Sequence, residues 1–543
     1  MKCPPNILLL MTDQQRADTV SALGNPIIRT PVLDRLTREG TSFTRCYTPS
    51  PVCVSARCAL MTGLAPHVSG CVDNMPMPTD VPTLPARLGM SGYQTHGIGK
   101  MHFNPDSTAA WGFDSRDISE EMPSSDDDYV DFLCENGFDH VTEPHGVRSE
   151  FYYVPQPSQL PTALHHTHWV ADRSIKYLRE RDTSRPFFLM SSFIKPHPPF
   201  ENPSPFDKLY RGPDMPGPLR RREEQQLWTY WNRVQNRYKY ADAGFDLRLA
   251  QLRQSAYYAA ISFIDQQIGR IIDSLGDAID NTLILFTADH GELLGDYGCV
   301  GKRSMLDAAA RIPMIARLPG VFKPGRRCEA ATSLLDIMPT CLARAETDTG
   351  EVSGDGNDLA SVAAVPDPDR TVYAQLQRGR YGLYMAANAK QKFVRSAADN
   401  REWLFHGTAE DNPDEFAHCV DTGKSVADNT LAASLRQRFT EAGYTEAVAD
   451  NRWVGYQPPE FPEATDSGLL FQDSQDLESQ LRSIGDGYAR EGYVGGTELL
   501  DTPRPFEKPG DHGQEGTPAP KPKRQRVKPV VPAMRSISVE GVN

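Results

Sequence analysis

Three uninterrupted apolar runs set the kind of fold open to this chain. Asn6-Ile-Leu-Leu-Leu-Met11, Pro186-Phe-Phe-Leu-Met-Ser-Ser-Phe-Ile194 and Asn281-Thr-Leu-Ile-Leu-Phe-Thr-Ala288 lack the alternation of a strand with one wet face. Each reads as a strand buried on both sides. Each also ends in residues that can do chemistry: Thr12-Asp13-Gln14-Gln15, Lys195-Pro-His197-Pro-Pro-Phe200 and Asp289-His290-Gly291-Glu292. In open α/β sheets, ligands bind at the carboxyl ends of the strands.

Helical patterns separate the runs. Thr30 reads as an N-cap with Pro31 at the first helical position, and Gly40 closes that helix. A short strand at Ser42–Thr44 follows, and this rhythm of strand, helix and strand predicts parallel pairing. A short helix near 83–88 and a longer one over 164–182 come next. Tyr257, Ile261, Ile264, Ile268, Ile271, Ile272 and Leu275 recur at helical spacing and predict a long core helix ended by Gly276. A strand over 313–318 and a helix over 333–345 complete the expected fold: α/β, with a mostly parallel central sheet flanked by helices. Residues 352–368 read as a linker. Strands near Val372, Tyr384, Lys392 and Trp403, with a helix over 430–442, predict a smaller C-terminal α+β subdomain.

The 543 residues carry 39% hydrophobic side chains and no apolar run of membrane-spanning length, and the first residues lead at once into a strand. The expectation is a cytoplasmic chain without a membrane partner. Ten cysteines, at 3, 46, 53, 58, 71, 134, 299, 328, 341 and 419, show neither framework spacing nor a CxxC pair, which suits a reducing compartment. The formal charge of -14 argues against nucleic acid as the main partner, so an anionic substrate needs a local cluster of cations.

Ser50-Pro-Val-Cys-Val-Ser-Ala-Arg-Cys-Ala-Leu-Met-Thr-Gly63 offers one such cluster. A helix beginning near Ser55 would put Cys53 beside free backbone amides, with Arg57 one turn on, making a small anion cradle. Lys100 and His102 in Gly92-Tyr-Gln-Thr-His-Gly-Ile-Gly-Lys-Met-His102 would share one face of an extended segment, and prolines freeze the backbone around His197. Asp13, Gln14, Asp289 and His290 lie at strand ends on one sheet edge, where such residues either cap a turn or hold a cation through oxygen ligands. His165, His166 and His168 do not fall on one helical face and read as substrate-side or structural residues.

Cys53-x-Ser55-x-Arg57 with Leu60 and Thr62-Gly63, the Gly-Lys100-x-His102 run and the Pro-His197-Pro-Pro run resemble the signatures of the sulfatase family of the alkaline phosphatase superfamily. Ser55 departs from the usual Pro or Ala. The resemblance implies that Cys53 is oxidised to formylglycine by a formylglycine-generating or radical maturation enzyme. It implies one divalent cation on Asp13, Gln14, Cys53, Asp289 and His290; calcium is the family's usual ion, and the imidazole would also suit manganese or zinc. Arg57, Lys100 and Lys302 would bind the sulfuryl oxygens, His197 would protonate the leaving alcohol, and His102 would help release sulfate.

The expected function is hydrolysis of a sulfate monoester on a small molecule or carbohydrate. The alternatives are a phosphonate monoester or phosphodiester hydrolase of the same superfamily, and a non-catalytic scaffold for anionic glycans. Residues 1–350 would form the catalytic domain, 370–465 the α+β subdomain and 466–504 a peripheral segment. Residues 505–543 would form a disordered tail with a basic run at Lys521–Arg526. The stretch 104–160 reads as an insertion outside the sheet that covers the catalytic face, and 201–245 as a mobile arm. The alcohol and the oligomeric state are not encoded in any of these motifs.

Overall fold

The three apolar runs lie side by side at the centre of an eight-stranded sheet. In the computed structural model, which describes residues 4–124, 126–148, 152–239, 246–346, 354–407, 414–422 and 429–460, its strands are β1 (Asn6–Asp13), β2 (Thr41–Phe43), β3 (Gln94–Gly99), β4 (Ser115–Ile118), β5 (Phe187–Pro196), β6 (Thr282–Ala288), β7 (Met314–Arg317) and β8 (Arg326–Cys328). The spatial order is β8-β2-β7-β6-β1-β5-β3-β4. Only β7 runs against its neighbours; every other pair in the sheet is parallel. The expected segment 466–504 and the tail 505–543 lie outside the described residues.

The helices that flank the sheet include α1 (Pro31–Glu39), α2 (Cys53–Thr62), α3 (His166–Glu180), α4 (Leu247–Asp273) and α5 (Ile337–Arg344). Alternation along β1 divides them. Leu8 and Leu10 point into a layer built by α1, α3 and α4, where Leu33, Trp169, Ile264 and Ile268 pack. Ile7, Leu9 and Met11 point into the opposite layer, with Val54, Leu60, Ile337 and Met338 of α2 and α5. All five β1 side chains are fully buried, and each stabilises the fold by roughly 1.5–3 kcal/mol relative to exposure.

A second sheet of five antiparallel strands follows: β9 (Val372–Leu376), β10 (Leu383–Ala387), β11 (Gln391–Ser396), β12 (Arg401–His406) and β13 (Cys419–Thr422). Leu431, Leu435 and Phe439 of α6 (Thr430–Glu441) cover one face. The other face, through Met385, Val394 and Trp403, packs on Leu293, Tyr297, Met305 and Leu306, just beyond the end of β6. No helix among the described residues is long and apolar enough to cross a membrane.

Several expectations need correction. β2 does not pair with β1, because β6 and β7 lie between them, and its neighbours are β7 (antiparallel) and β8 (parallel). The stretch 104–160 is not wholly outside the sheet, since β4 forms its edge against β3. The arm over 201–239 is packed rather than mobile: Asn232 and Asn236 are buried, and Asn236 donates to the Gly298 carbonyl at 2.9 Å. The linker holds a helix, Leu359–Ala364, whose Leu359, Val362 and Ala363 join the main core. In the first three cases a non-local contact won over a local pattern.

Thr30 precedes α1 as expected, yet its side chain does not cap the helix. Asp265, reaching across from α4, accepts the Val32 and Leu33 amides at 3.0 and 2.8 Å. Burial pushes the Asp265 carboxyl up from 3.8 to about 7, against the pull of those amides. The folded chain thus keeps a proton that the unfolded chain has released. This contribution to stability is fully present below 3.8 and is lost as pH rises through about 7. Urea midpoints of the wild type and Asp265→Asn at pH values across that window are expected to show the wild type losing stability relative to the variant as pH rises. Parallel pH profiles would refute the assignment.

Candidate active site

Sheet register brings two carboxylates together. β1 and β6 pair residue for residue up to Thr12 with Ala288, so the next residues, Asp13 and Asp289, meet at the carboxyl edge. On the other side, an irregularity after Thr12 re-aims β1 and sets Asp13 against Pro196, next to His197. The chain then turns through Gln14 at φ 67, a conformation costing roughly 1–3 kcal/mol in a non-glycine residue. It is held by a bond from the Gln14 amide to Asp289 Oδ1 at 2.9 Å and from the Tyr257 hydroxyl to the Gln14 carbonyl at 2.7 Å. Gly291 lets this edge close: a Cβ there would lie 2.0 Å from the Ala308 carbonyl oxygen.

α2 supplies the third component. It begins at Cys53 itself rather than near Ser55, and all ten of its residues are buried. Asn74 Oδ1 accepts the Val54 amide at 3.1 Å, which caps the helix from outside. The Ser55 hydroxyl donates to the Cys71 carbonyl at 2.5 Å, so this departure from the family pattern is accommodated by one hydrogen bond.

Cys53 Sγ is surrounded by charged groups. Lys302 Nζ lies at 2.8 Å, His290 Nε2 at 3.2 Å, Asp13 Oδ1 at 3.8 Å and Lys100 Nζ at 3.9 Å. Arg57, expected to face substrate oxygens, is occupied within the site. Its Nε donates to Asp289 at 2.9 Å, Nη2 to Asp13 at 3.2 Å, and Nη1 to the Lys100 carbonyl and to Ser192 Oγ. Lys100 Nζ bridges Asp13 and Glu121, both at 2.6 Å. His197 Nε2 lies 3.3 Å from Lys302 Nζ and 3.5 Å from Glu121, while its Nδ1 is bonded to the Pro198 carbonyl at 2.6 Å. That last contact makes Nδ1 the protonated nitrogen of the neutral ring and leaves Nε2 facing the site.

His102 lies within reach of the charges on Lys100, Glu121 and Glu120. Its amide donates to Glu120, and its Nδ1 is buried without a hydrogen-bond partner. His165 binds Glu201 and His168 contacts Asp172 on the outer layer, away from Asp13.

These groups shift one another. Burial pushes Asp13 up, as does Asp289, but Lys100, His197 and Arg57 together hold it below the ordinary carboxylate value. Asp289 likewise lies low despite burial, through His290, Arg57 and Lys100. Burial opposes the charge of Lys100, yet Asp13, Cys53 and Glu121 raise it well above 10.5. Burial dominates at His197 and drives it well below 6.5, which Glu121 only partly counters.

Asp13, Cys53, Asp289 and His290 each offer a ligand atom within 4.8 Å of the others. Gln14 Oε1 is buried with no hydrogen-bond donor, while its Nε2 is spent on Glu292. An orphaned amide oxygen beside two ionised carboxylates fits a hard divalent cation. Glu292 acts one layer out: it accepts from Gln14, from the Tyr153 hydroxyl and from the Leu294 and Gly301 amides, which fixes the Gln14 amide in place.

Glu121, Arg148 and Asn74 escaped the sequence reading. Glu121 lies in Ser119-Glu-Glu121, just after the edge strand β4, so recognising that strand would have placed it at the same sheet edge as Lys100. Arg148 and Asn74 lie on loops whose path no local pattern predicts. Asn74 Nδ2 is buried without a partner.

Comparison with known proteins agrees with the geometry. The family model described as Sulfatase matches residues 5–347. An arylsulfatase of Clostridium perfringens is 33% identical over 363 residues, spanning 62% of this chain and 74% of that protein. A choline-sulfatase of Rhizobium meliloti is 28% identical over 489 residues, spanning 83% and 91%. The crystal structure of a phosphonate monoester hydrolase of Agrobacterium radiobacter superposes with a TM-score of 0.65 at 24% identity, covering 81% of this chain and 95% of that one.

If Asp13, Gln14, Asp289 and His290 hold the cation, Asp289→Ala loses it, because one ionised ligand and the clamp on Gln14 and Arg57 vanish together. Elemental analysis of the purified proteins should find about one tightly bound divalent ion per wild-type chain and far less in the variant. Equal metal content would show that the ion sits elsewhere.

Proposed function

This chain belongs to the sulfatase family, within the alkaline phosphatase superfamily, and on that premise we propose that it hydrolyses a sulfate monoester using formylglycine formed from Cys53. The observation that carries this reading is the pair of lysines, Lys100 and Lys302, that face Cys53 Sγ from two sides at 3.9 and 2.8 Å. The similar arylsulfatase and choline-sulfatase support the substrate class.

The surroundings of Cys53 fit the modified residue. A thiol is a weak acceptor, yet two donor groups, on Lys302 and Lys100, converge on it, and two hydrate oxygens would satisfy them better. Formylglycine, when present, supplies an aldehyde hydrate, an oxygen nucleophile with a second hydroxyl on the same carbon. A divalent ion held by Asp13, Gln14, Asp289 and His290 would add Lewis acidity at the same point; calcium suits the oxygen ligands.

The chain's own groups then have defined tasks. Lys100 and Lys302 neutralise the sulfuryl oxygens, and each preorganised cation in such a water-poor site stabilises a transition state by roughly 3–4 kcal/mol. Arg57 holds the Asp13 and Asp289 carboxylates in register, acting through them. His197 presents its unprotonated Nε2 to the leaving oxygen and can relay to the departing alcohol a proton taken from Lys302 Nζ, 3.3 Å away. His102, with a buried free Nδ1, serves the release of sulfate.

A second reading, hydrolysis of phosphonate monoesters or phosphodiesters, rests on the Asp13-Gln14 and Asp289-His290 ligand pairs, which suit either transferring group. Parallel assays of an aryl sulfate, an aryl phosphonate monoester and a phosphate diester separate the two. The sulfate is expected to lead in kcat/KM by at least about tenfold, and a lead for either phosphorus ester would move the enzyme to the second reading.

Peptide mass spectrometry on protein from a host with a maturation system is expected to show Cys53 converted to the aldehyde despite Ser55. Cys53→Ala should lose on the order of 1000-fold or more in kcat. Intact cysteine together with full activity of Cys53→Ala would overturn the mechanism.

A further inference from the structure

We propose that Glu121 is a specificity-determining residue that sets the charge the site accepts: it favours esters whose transferring group bears one negative charge and excludes the dianion of a phosphate monoester. The inference rests on the hydrolase reading above and adds to it the discrimination between monoanion and dianion.

Glu121 comes from the loop after β4, and only 4% of it is exposed. One carboxylate oxygen meets Lys100 Nζ at 2.6 Å; the other meets Arg148 Nη2 at 2.9 Å and faces His197 Nε2 at 3.5 Å. A Glu121 oxygen, Cys53 Sγ and a His197 ring nitrogen all lie within 4.8 Å of one another. A fixed anion therefore stands beside both the nucleophile position and the proton donor, against the space where the transferring group must sit. Two cations in direct contact keep it ionised.

The charge count shows what this does. Arg57, Lys100, Lys302 and Arg148 contribute four positive charges, and Asp13, Asp289 and Glu121 contribute three negative ones. Without Glu121 one more positive charge would be unspent, which is what a second charge on the substrate would use. Sulfate monoesters and phosphonate monoesters are monoanions, whereas a phosphate monoester is a dianion above its second pKa of about 6. In a poorly screened site a carboxylate beside the transferring group opposes a second negative charge on it. Lys100 is shared with Asp13, so Arg148 is the partner that offsets the Glu121 charge, and only in part.

The test compares kcat/KM for an aryl phosphate with that for the matching aryl sulfate and aryl phosphonate monoester, at a pH above about 7.5 where the phosphate is dianionic. In Glu121→Gln the ratio of phosphate to sulfate is expected to rise by roughly tenfold or more, while in Glu121→Asp, which keeps the charge, it stays within about threefold of wild type. Arg148→Gln, which strips a partner from the Glu121 charge, should lower the ratio. A change of both substrates in equal proportion in Glu121→Gln would overturn the proposal. If Glu121→Gln is inactive or misfolded, Arg148→Gln decides: a lowered ratio supports the proposal and an unchanged one overturns it. Failure of the sulfatase reading shows separately, as a wild-type preference for phosphonate over sulfate, and the phosphonate then serves as the monoanion reference.

Discussion

Two carboxylates forced together in a dry interior govern this molecule. The in-register pairing of β1 with β6 leaves Asp13 and Asp289 side by side, both fully buried, where their mutual repulsion and lost hydration oppose folding. The surrounding site answers that repulsion. Arg57 spans both carboxylates, and Lys100 shares Asp13 Oδ2 with it. The same groups that make the edge tolerable make it reactive toward an anionic ester, so stability and chemistry draw on one set of charges.

The centre of the fold was legible because its rule is simple. Strands buried on both faces must read as unbroken apolar runs, and their ends must carry whatever polar residues the edge uses; that puts Asp13, His197 and Asp289 at the edge, while the family resemblance was needed to read them as more than turn residues. The family signatures added Cys53, Arg57, Lys100 and Lys302, and all four lie around the same point. What escaped was non-local. β2 lies two strands from where sequence proximity suggested, because β7 and β6 supply longer partners near the centre. Glu121 and Arg148 reach the site from loops with no periodicity, and only the closed fold shows that they meet. Arg57 was placed correctly but given the wrong neighbours, since its spacing from Cys53 says nothing of the carboxylates across the sheet edge.

The second sheet is tied to the same edge. Its inner face packs on the segment 293–306, which carries Lys302, and Gln377 just beyond β9 bonds Asp73 beside Asn74. Asp73 in turn binds Arg303, the residue after Lys302. The C-terminal unit therefore braces one of the two lysines that face Cys53, which ties its docking to the geometry of the reacting centre.

Burial of α2 has a consequence in time. Every residue from Cys53 to Thr62 is enclosed, and Cys53 is closed off by Lys302 and His290 from segments some 240 residues further along the chain. An enzyme that alters the Cys53 side chain must hold the peptide in its own cleft, and the finished fold offers it nothing to grip. On the formylglycine reading the alteration would have to come while β6 and the loop after it are still unmade or undocked, so the order of synthesis would become part of the catalyst: the nucleophile would be written into the chain before the site that uses it exists.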